Sequence, residues 1–246
     1  MQHTTSTVLR VLSVTFALPE GYDSRLLPKL RGAIAHKAGL EHDEFHNHNN
    51  DADATVAFRY RYPLVQYRVQ QSTLTLTCWN EGVDALQHFF AQPDWTLTLD
   101  TGDTITLRIT DMRLRELYPT VVAAPRRYAL RDWYALNQDN FKTYLQSTEP
   151  EQIALLERLL VSQIVLMLNA VGFHPTEPVT AKIIALRSRI TEHKRQKIRV
   201  FNPEFACNVA LPVGLGLGKA AAMGFGVITS PRPSPKEREN AQMKRI

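Results

Sequence analysis

Residues 7–17, Thr-Val-Leu-Arg-Val-Leu-Ser-Val-Thr-Phe-Ala, are rich in β-branched side chains and partly alternate apolar with polar positions, the two-residue period of a strand. Asp23-Ser24 then offers an N-cap for a helix through about Lys37, ended by Gly39. After a polar stretch come three strand candidates at 55–61, 64–70 and 73–79. A helix is predicted over 81–92, opened by Asn80 and closed before Pro93. Strands follow at 95–100 and 104–110, the second running on past Arg113. This β-α-β-(β)-β-α-β order fits a ferredoxin-like unit.

The second half repeats the theme less regularly. A strand is predicted at 126–136, with helices at 139–147 and 149–171. In the longer helix Leu155, Leu156, Leu159, Leu160, Ile164, Leu168 and Val171 make an apolar stripe at helical spacing. Strands at 180–187 and 195–211 lead to a last short one at 225–228, and the segment 119–125, a proline at each end, is the expected junction. The architecture so predicted is α+β: two tandem ferredoxin-like domains, 1–120 and 121–229, with a glycine-rich loop near the C-terminus. A Pro-rich polar tail, 230–246, is expected to be disordered.

Composition adds limits. The 246 residues are 44% hydrophobic and 22% charged, ordinary for a globular chain with room for one or two cores. No run of 18 apolar residues and no basic-then-apolar leader is present, so neither a membrane span nor a signal peptide is expected. The two cysteines, Cys78 and Cys207, lie in apolar surroundings and read as reduced packing residues of a cytosolic protein. Charge is uneven: residues 1–123 carry 11 cationic and 14 acidic side chains, residues 124–246 carry 18 and 10. A basic second half on a chain of net charge +5 points to a polyanion partner.

Three stretches carry candidate chemistry. Five of the eleven glycines fall within 214–226, where Gly216-Leu217-Gly218 and Gly224-Phe225-Gly226 bracket five residues beginning with Lys219. Such a loop can bring backbone amides to a phosphate. It is neither a dinucleotide fingerprint nor a P-loop, since Ala220 follows Lys219. Between 42 and 48 lie three of the eight histidines, among helix-breaking Asn and Asp residues that place them on a loop. Paired histidines suit general acid and base work, so His46 and His48 are acid–base candidates. The alternatives are a metal site using His42, His46, His48 and Asp51 or Asp53, or a loop without a role. Finally, Arg187, Arg189, Lys194, Arg195, Lys197 and Arg199 form a basic run offset only by Glu192. It is either a solvated strand–turn–strand face or a track for RNA, with Arg126, Arg127 and Arg131 as weaker additions.

The motifs occur together and in order: Leu30-Arg31-Gly32, His46-Asn47-His48, Tyr60-Arg61-Tyr62-Pro63-Leu64-Val65-Gln66-Tyr67, Asn80-Glu81-Gly82 and the double Gly-apolar-Gly loop. Across residues 8–228 this resembles the CRISPR-associated repeat-cleaving endoribonucleases, the Cas six family. The resemblance implies metal-independent cleavage of CRISPR repeat RNA by its own 2′-OH, giving a 2′,3′-cyclic (or 3′) phosphate and a 5′-OH, with no cofactor. It implies His46 and His48 as acid and base, with Lys37, Arg59, Arg61 or Lys219 as the cation facing the phosphorane. Gly216, Gly218, Lys219, Gly224, Gly226 and the basic run would contact RNA, and Tyr60, Tyr62 or Tyr67 could stack on unpaired bases. Effector-complex subunits and a second copy of the chain are the further partners it allows. The competing functions are a non-catalytic RNA-binding module and a metal-dependent hydrolase.

Overall fold

The computed structural model describes residues 8–39, 45 and 62–231. The strand expected at 55–61, the histidine pair His46 and His48, and Arg59, Tyr60 and Arg61 lie outside these residues, as do His42, Asp51, Asp53 and the tail from 232.

The first unit runs β1 (Leu9–Ala17), α1 (Leu27–Ala38), β2 (Val65–Gln70), β3 (Thr73–Trp79), α2 (Glu81–Phe90), a small hairpin β4 (Thr96–Thr98) and β5 (Thr104–Thr106), and β6 (Arg108–Leu117). Its sheet has the order β2-β3-β1-β6, with antiparallel pairing throughout. That is the strand order of a ferredoxin-like unit with one hairpin inserted. The strand expected to begin at 104 therefore divides. Thr104–Thr106 closes the hairpin with β4, and the chain beyond Leu107 pairs with the free edge of β1, which gives that edge its backbone partners.

The second unit runs β7 (Val121–Arg131), α3 (Gln138–Gln146), α4 (Glu149–Ala170), β8 (Ala181–His193), β9 (Gln196–Val209) and β10 (Val227–Thr229), in the order β10-β7-β9-β8. The strand order is that of the first unit, so two ferredoxin-like units stand in tandem. In the first unit the crossover to the last strand is helix α2; in the second it is the glycine loop. Pro125, expected at the junction, lies inside β7 at a register shift between Val121 and Arg126, where a missing N–H does least harm.

Helix α4 begins at Thr148, whose N–H donates to the Glu151 carboxylate at 2.8 Å. It is long and apolar enough to cross a membrane, but it lays Leu155, Leu156, Leu160, Ile164, Met167 and Leu168 into the protein core. Each such side chain contributes about 1.5–3 kcal/mol by leaving water. One core lies between α1, α2 and the first sheet; the other joins the second unit to Leu9, Val11, Tyr62 and Trp79 of the first. The two units thus share a core at their junction. Both cysteines are buried and unpaired, and burial pushes the Cys207 thiol up to about 11.

Candidate nucleic-acid interface

The glycine loop is built into this junction. Gly216 donates its N–H to Gln66 Oε1 on β2 at 2.7 Å and accepts the Tyr62 hydroxyl at 2.8 Å, while Gln66 Nε2 donates to the Tyr62 oxygen at 2.8 Å. Four further amides of the loop also bond within the protein. Leu217 N–H goes to Gly226 O, Lys219 N–H to Tyr134 O, Gly224 N–H to Ala221 O and Gly226 N–H to Asp132 O. The N–H donors of Gly216, Gly224 and Gly226, read in the sequence as amides that can approach a phosphate, are here bonded within the protein itself. The glycines are needed for close approach. At Gly226, with φ +65°, a Cβ would overlap the Leu217 carbonyl, and at Gly218 it would come within 2.9 Å of Gln163 and Trp133.

Tyr62 and Tyr67, read in the sequence as rings that could stack on bases, lie in the protein interior. They are 7% and 1% exposed, and Tyr62 serves as a hydrogen-bonded link between the units. Lys37 lies at the end of α1, where its ammonium donates to the Asp94 carboxylate and to Thr96 O, both at 3.0 Å. Its charge is already met.

Lys219 has a different setting. Its Nζ stands 4.5 Å from the centre of the Tyr134 ring and 3.4 Å from that hydroxyl. Phe225 and His193 close the group, with ring centres 5.2 Å apart, and all four side chains are half-buried. Burial first, then Lys194 and Lys219, hold the His193 imidazole below the ordinary histidine range.

His193 ends β8, next to the turn into β9, so the strands expected at 180–187 and 195–211 are arms of one hairpin. Its turn is Lys194-Arg195, both at positive φ (51° and 61°). Cross-strand pairing sorts the basic run. Arg187 and Arg189, opposite Asn202 and Val200, share one face; Lys197 and Arg199, opposite Glu192 and Ile190, share the other. The run read in the sequence as a solvated face or an RNA track is a two-faced ribbon with a cationic tip. Arg189 is tied to Asp132 at 2.8 Å, and Arg199 donates to Ser188 Oγ at 3.2 Å.

Arg31 on α1 was visible only as a letter in a motif. Its Nε and a terminal nitrogen donate to Phe45 O at 3.3 and 3.1 Å, its other terminal nitrogen reaches Met223 Sδ at 3.9 Å, and its guanidinium lies 5.9 Å from the Tyr67 ring centre. Phe45 is fully buried. It immediately precedes His46 in the sequence, and the Arg31 side chain joins it to Met223 of the glycine loop. Among the described residues no group of three or more His, Cys, Asp or Glu side chains could hold a metal ion.

Residues 7–117 match the Cas6b N-terminal domain and residues 121–231 the Cas6b C-terminal domain. The chain belongs to the Cas6b family. Among solved structures, one described as a crystal structure of Cas6b superposes with a TM-score of 0.75 at 24% identity, over 91% of this chain and all of the other. A crystal structure of the CRISPR RNA processing endoribonuclease Cas6b gives 0.65 at 21%, over 90% of this chain and all of its own. A type IV Cas6 crRNA endonuclease, Csf5, gives 0.54 at 13%, over 91% and 100%. These likenesses bear on the fold. An uncharacterised protein of Methanocaldococcus jannaschii is 30% identical over 96 residues, so the match spans 39% of this Cas6b-family chain and 65% of that relative.

Proposed function

We propose that this Cas6b-family chain is an endoribonuclease that cleaves CRISPR repeat RNA without a metal ion. The observation that carries the reading is the Arg31 junction, which joins Phe45, one peptide bond ahead of His46, to Met223 in the glycine loop. The family's two candidate working parts are thereby linked through one guanidinium.

In the proposed reaction one histidine of the His46/His48 pair takes the proton of a ribose 2′-OH. The 2′-oxygen then attacks the adjacent phosphorus, and the bond to the 5′-oxygen breaks as the other histidine protonates that leaving oxygen. The products are a 2′,3′-cyclic phosphate and a 5′-OH. A cation facing the phosphorane lowers the barrier further. Lys219 suits that role better than Lys37, because Lys37 already binds a carboxylate. The ribbon β8–β9, cationic on both faces and at its tip, suits a partner that offers phosphates on two sides, such as a repeat stem. Effector-complex subunits and a second copy of the chain are further partners that family membership suggests.

The test is incubation with repeat RNA in EDTA, beside His46→Ala, His48→Ala and a substrate with a 2′-deoxy at the scissile nucleotide. Single-site cleavage that survives EDTA, falls about 10²–10⁴-fold with either histidine and stops with the 2′-deoxy is expected. Tight binding without cleavage would make the chain an RNA-binding module instead. Cleavage only with added metal would make it a metal-dependent hydrolase.

A further inference from the structure

Of two arginines at the junction, Arg68 has no role assigned above and Arg131 only a minor place beside the basic run. Arg68 is the half-buried position of β2, flanked by buried Tyr67 and Val69. Its Cα and Cγ stand 3.8 and 3.7 Å from the place a Cβ on Gly224 would occupy. Arg131, the last residue of β7, is the strand partner of Val227. The next residue, Asp132, accepts the N–H of Gly226 at 3.1 Å. One arginine from each unit thus borders the same short stretch of the glycine loop.

Neither guanidinium has an ion-pair or hydrogen-bond partner among the described residues, whereas Arg10, Arg25 and Arg189 each hold an aspartate within 3 Å. The carboxylate beside Arg131, that of Asp132, is taken by Arg189. Burial, and then the like charge of Arg131, hold the Arg68 guanidinium below the ordinary arginine range. Half-burying a cation beside another cation is unfavourable unless an anion answers both. A guanidinium fork also matches phosphate oxygens in pairs.

We propose that Arg68 and Arg131 together form a phosphate site at the junction of the two units, taking a backbone phosphodiester of the bound RNA beside the glycine loop. This rests on the RNA-processing reading above and assigns the phosphate contact to these side chains in place of the loop amides. Free protein carries the repulsion between the two; bound RNA removes it.

The experiment compares full-length wild type with Arg68→Met, Arg131→Met and the double variant, which keep apolar bulk and lose charge. Binding of repeat RNA with a 2′-deoxy at the scissile nucleotide is measured across salt concentrations. A second arm measures the rise in melting temperature on adding inorganic tripolyphosphate. Each arginine lost is expected to lower the slope of log Kd against log salt by about 0.7–0.9, with Arg68→Lys keeping most of it. The free double variant is expected to melt no lower than wild type, and tripolyphosphate to stabilise it less. Affinity within twofold of wild type, with an unchanged slope in the double variant, overturns the proposal. Should wild type bind no repeat RNA, the RNA reading fails, and the tripolyphosphate arm still decides the pair: equal stabilisation of both proteins overturns it. Should the double variant fail to fold, the two single variants are read by the same criteria.

Discussion

Gly226 and His193 set the terms at the scale of single residues. At Gly226 any side chain meets both a left-handed backbone and the Leu217 carbonyl. Gly226→Ala is therefore expected to lower stability by at least about 2 kcal/mol, measured by urea unfolding, since the left-handed conformation alone costs about 1–2 kcal/mol for a residue with a Cβ. Gly21, whose φ is +86° with open space around it, is the control for backbone strain without overlap. His193 predicts a pH effect. Its folded pKa is depressed below the ordinary value near 6.5, so as pH falls through that value the unfolded chain takes up the proton first. The contribution of His193 to stability is complete above about pH 6.5 and is lost as pH drops through the folded pKa. Urea midpoints measured from about pH 7.5 down to 5 are expected to fall more steeply for wild type than for His193→Gln, and proton NMR to place the imidazole midpoint below that of a free histidine.

The β8–β9 hairpin shows how an element can be shaped against its own stability. A two-residue turn with both residues at positive φ favours Asn-Gly, yet this one carries Lys194-Arg195. Replacing the pair by Asn-Gly is expected to raise stability by about 1 kcal/mol, because the left-handed strain is relieved. If the tip grips RNA, the same change lowers the salt slope of repeat binding by about 0.7–0.9 per cation removed. Higher stability with unchanged binding would make the tip a solvated turn. The run of cations between 187 and 199 was legible in the sequence, but its division between two faces was not. Which side chains stand together depends on the cross-strand register, and that follows from where the turn falls.

For the whole molecule, the junction between the units is the decisive feature, and Gln66 is its hinge-pin. It is the buried polar side chain that ties β2 to the glycine loop through Gly216 and Tyr62. Gln66→Leu leaves the Gly216 N–H buried without its acceptor and is expected to cost about 1–3 kcal/mol by urea unfolding, more than exposed Gln70→Leu. Much of the fold was readable from local pattern. The alternation at 9–17, the strand pair at 65–79, the stripe of α4 and the glycine spacing each reflect short-range physics: strand and helix periods, chain stiffness and the space a Cβ needs. Two α+β units in tandem follow from the order of those elements. Tertiary structure decided what the patterns could not contain. It turned the amides of Gly216, Gly224 and Gly226 inward, because the loop replaces a helix and must satisfy its own backbone at the junction. It buried Tyr62 as a linker, set Lys37 against Asp94, and carried Arg31 from a motif letter to the contact between Phe45 and Met223. It also brought Arg68 and Arg131 to one loop from positions 63 residues apart. Sequence fixes which groups are available and the period on which they repeat; only the packing of two sheets decides which charges meet a partner and which are left for a ligand.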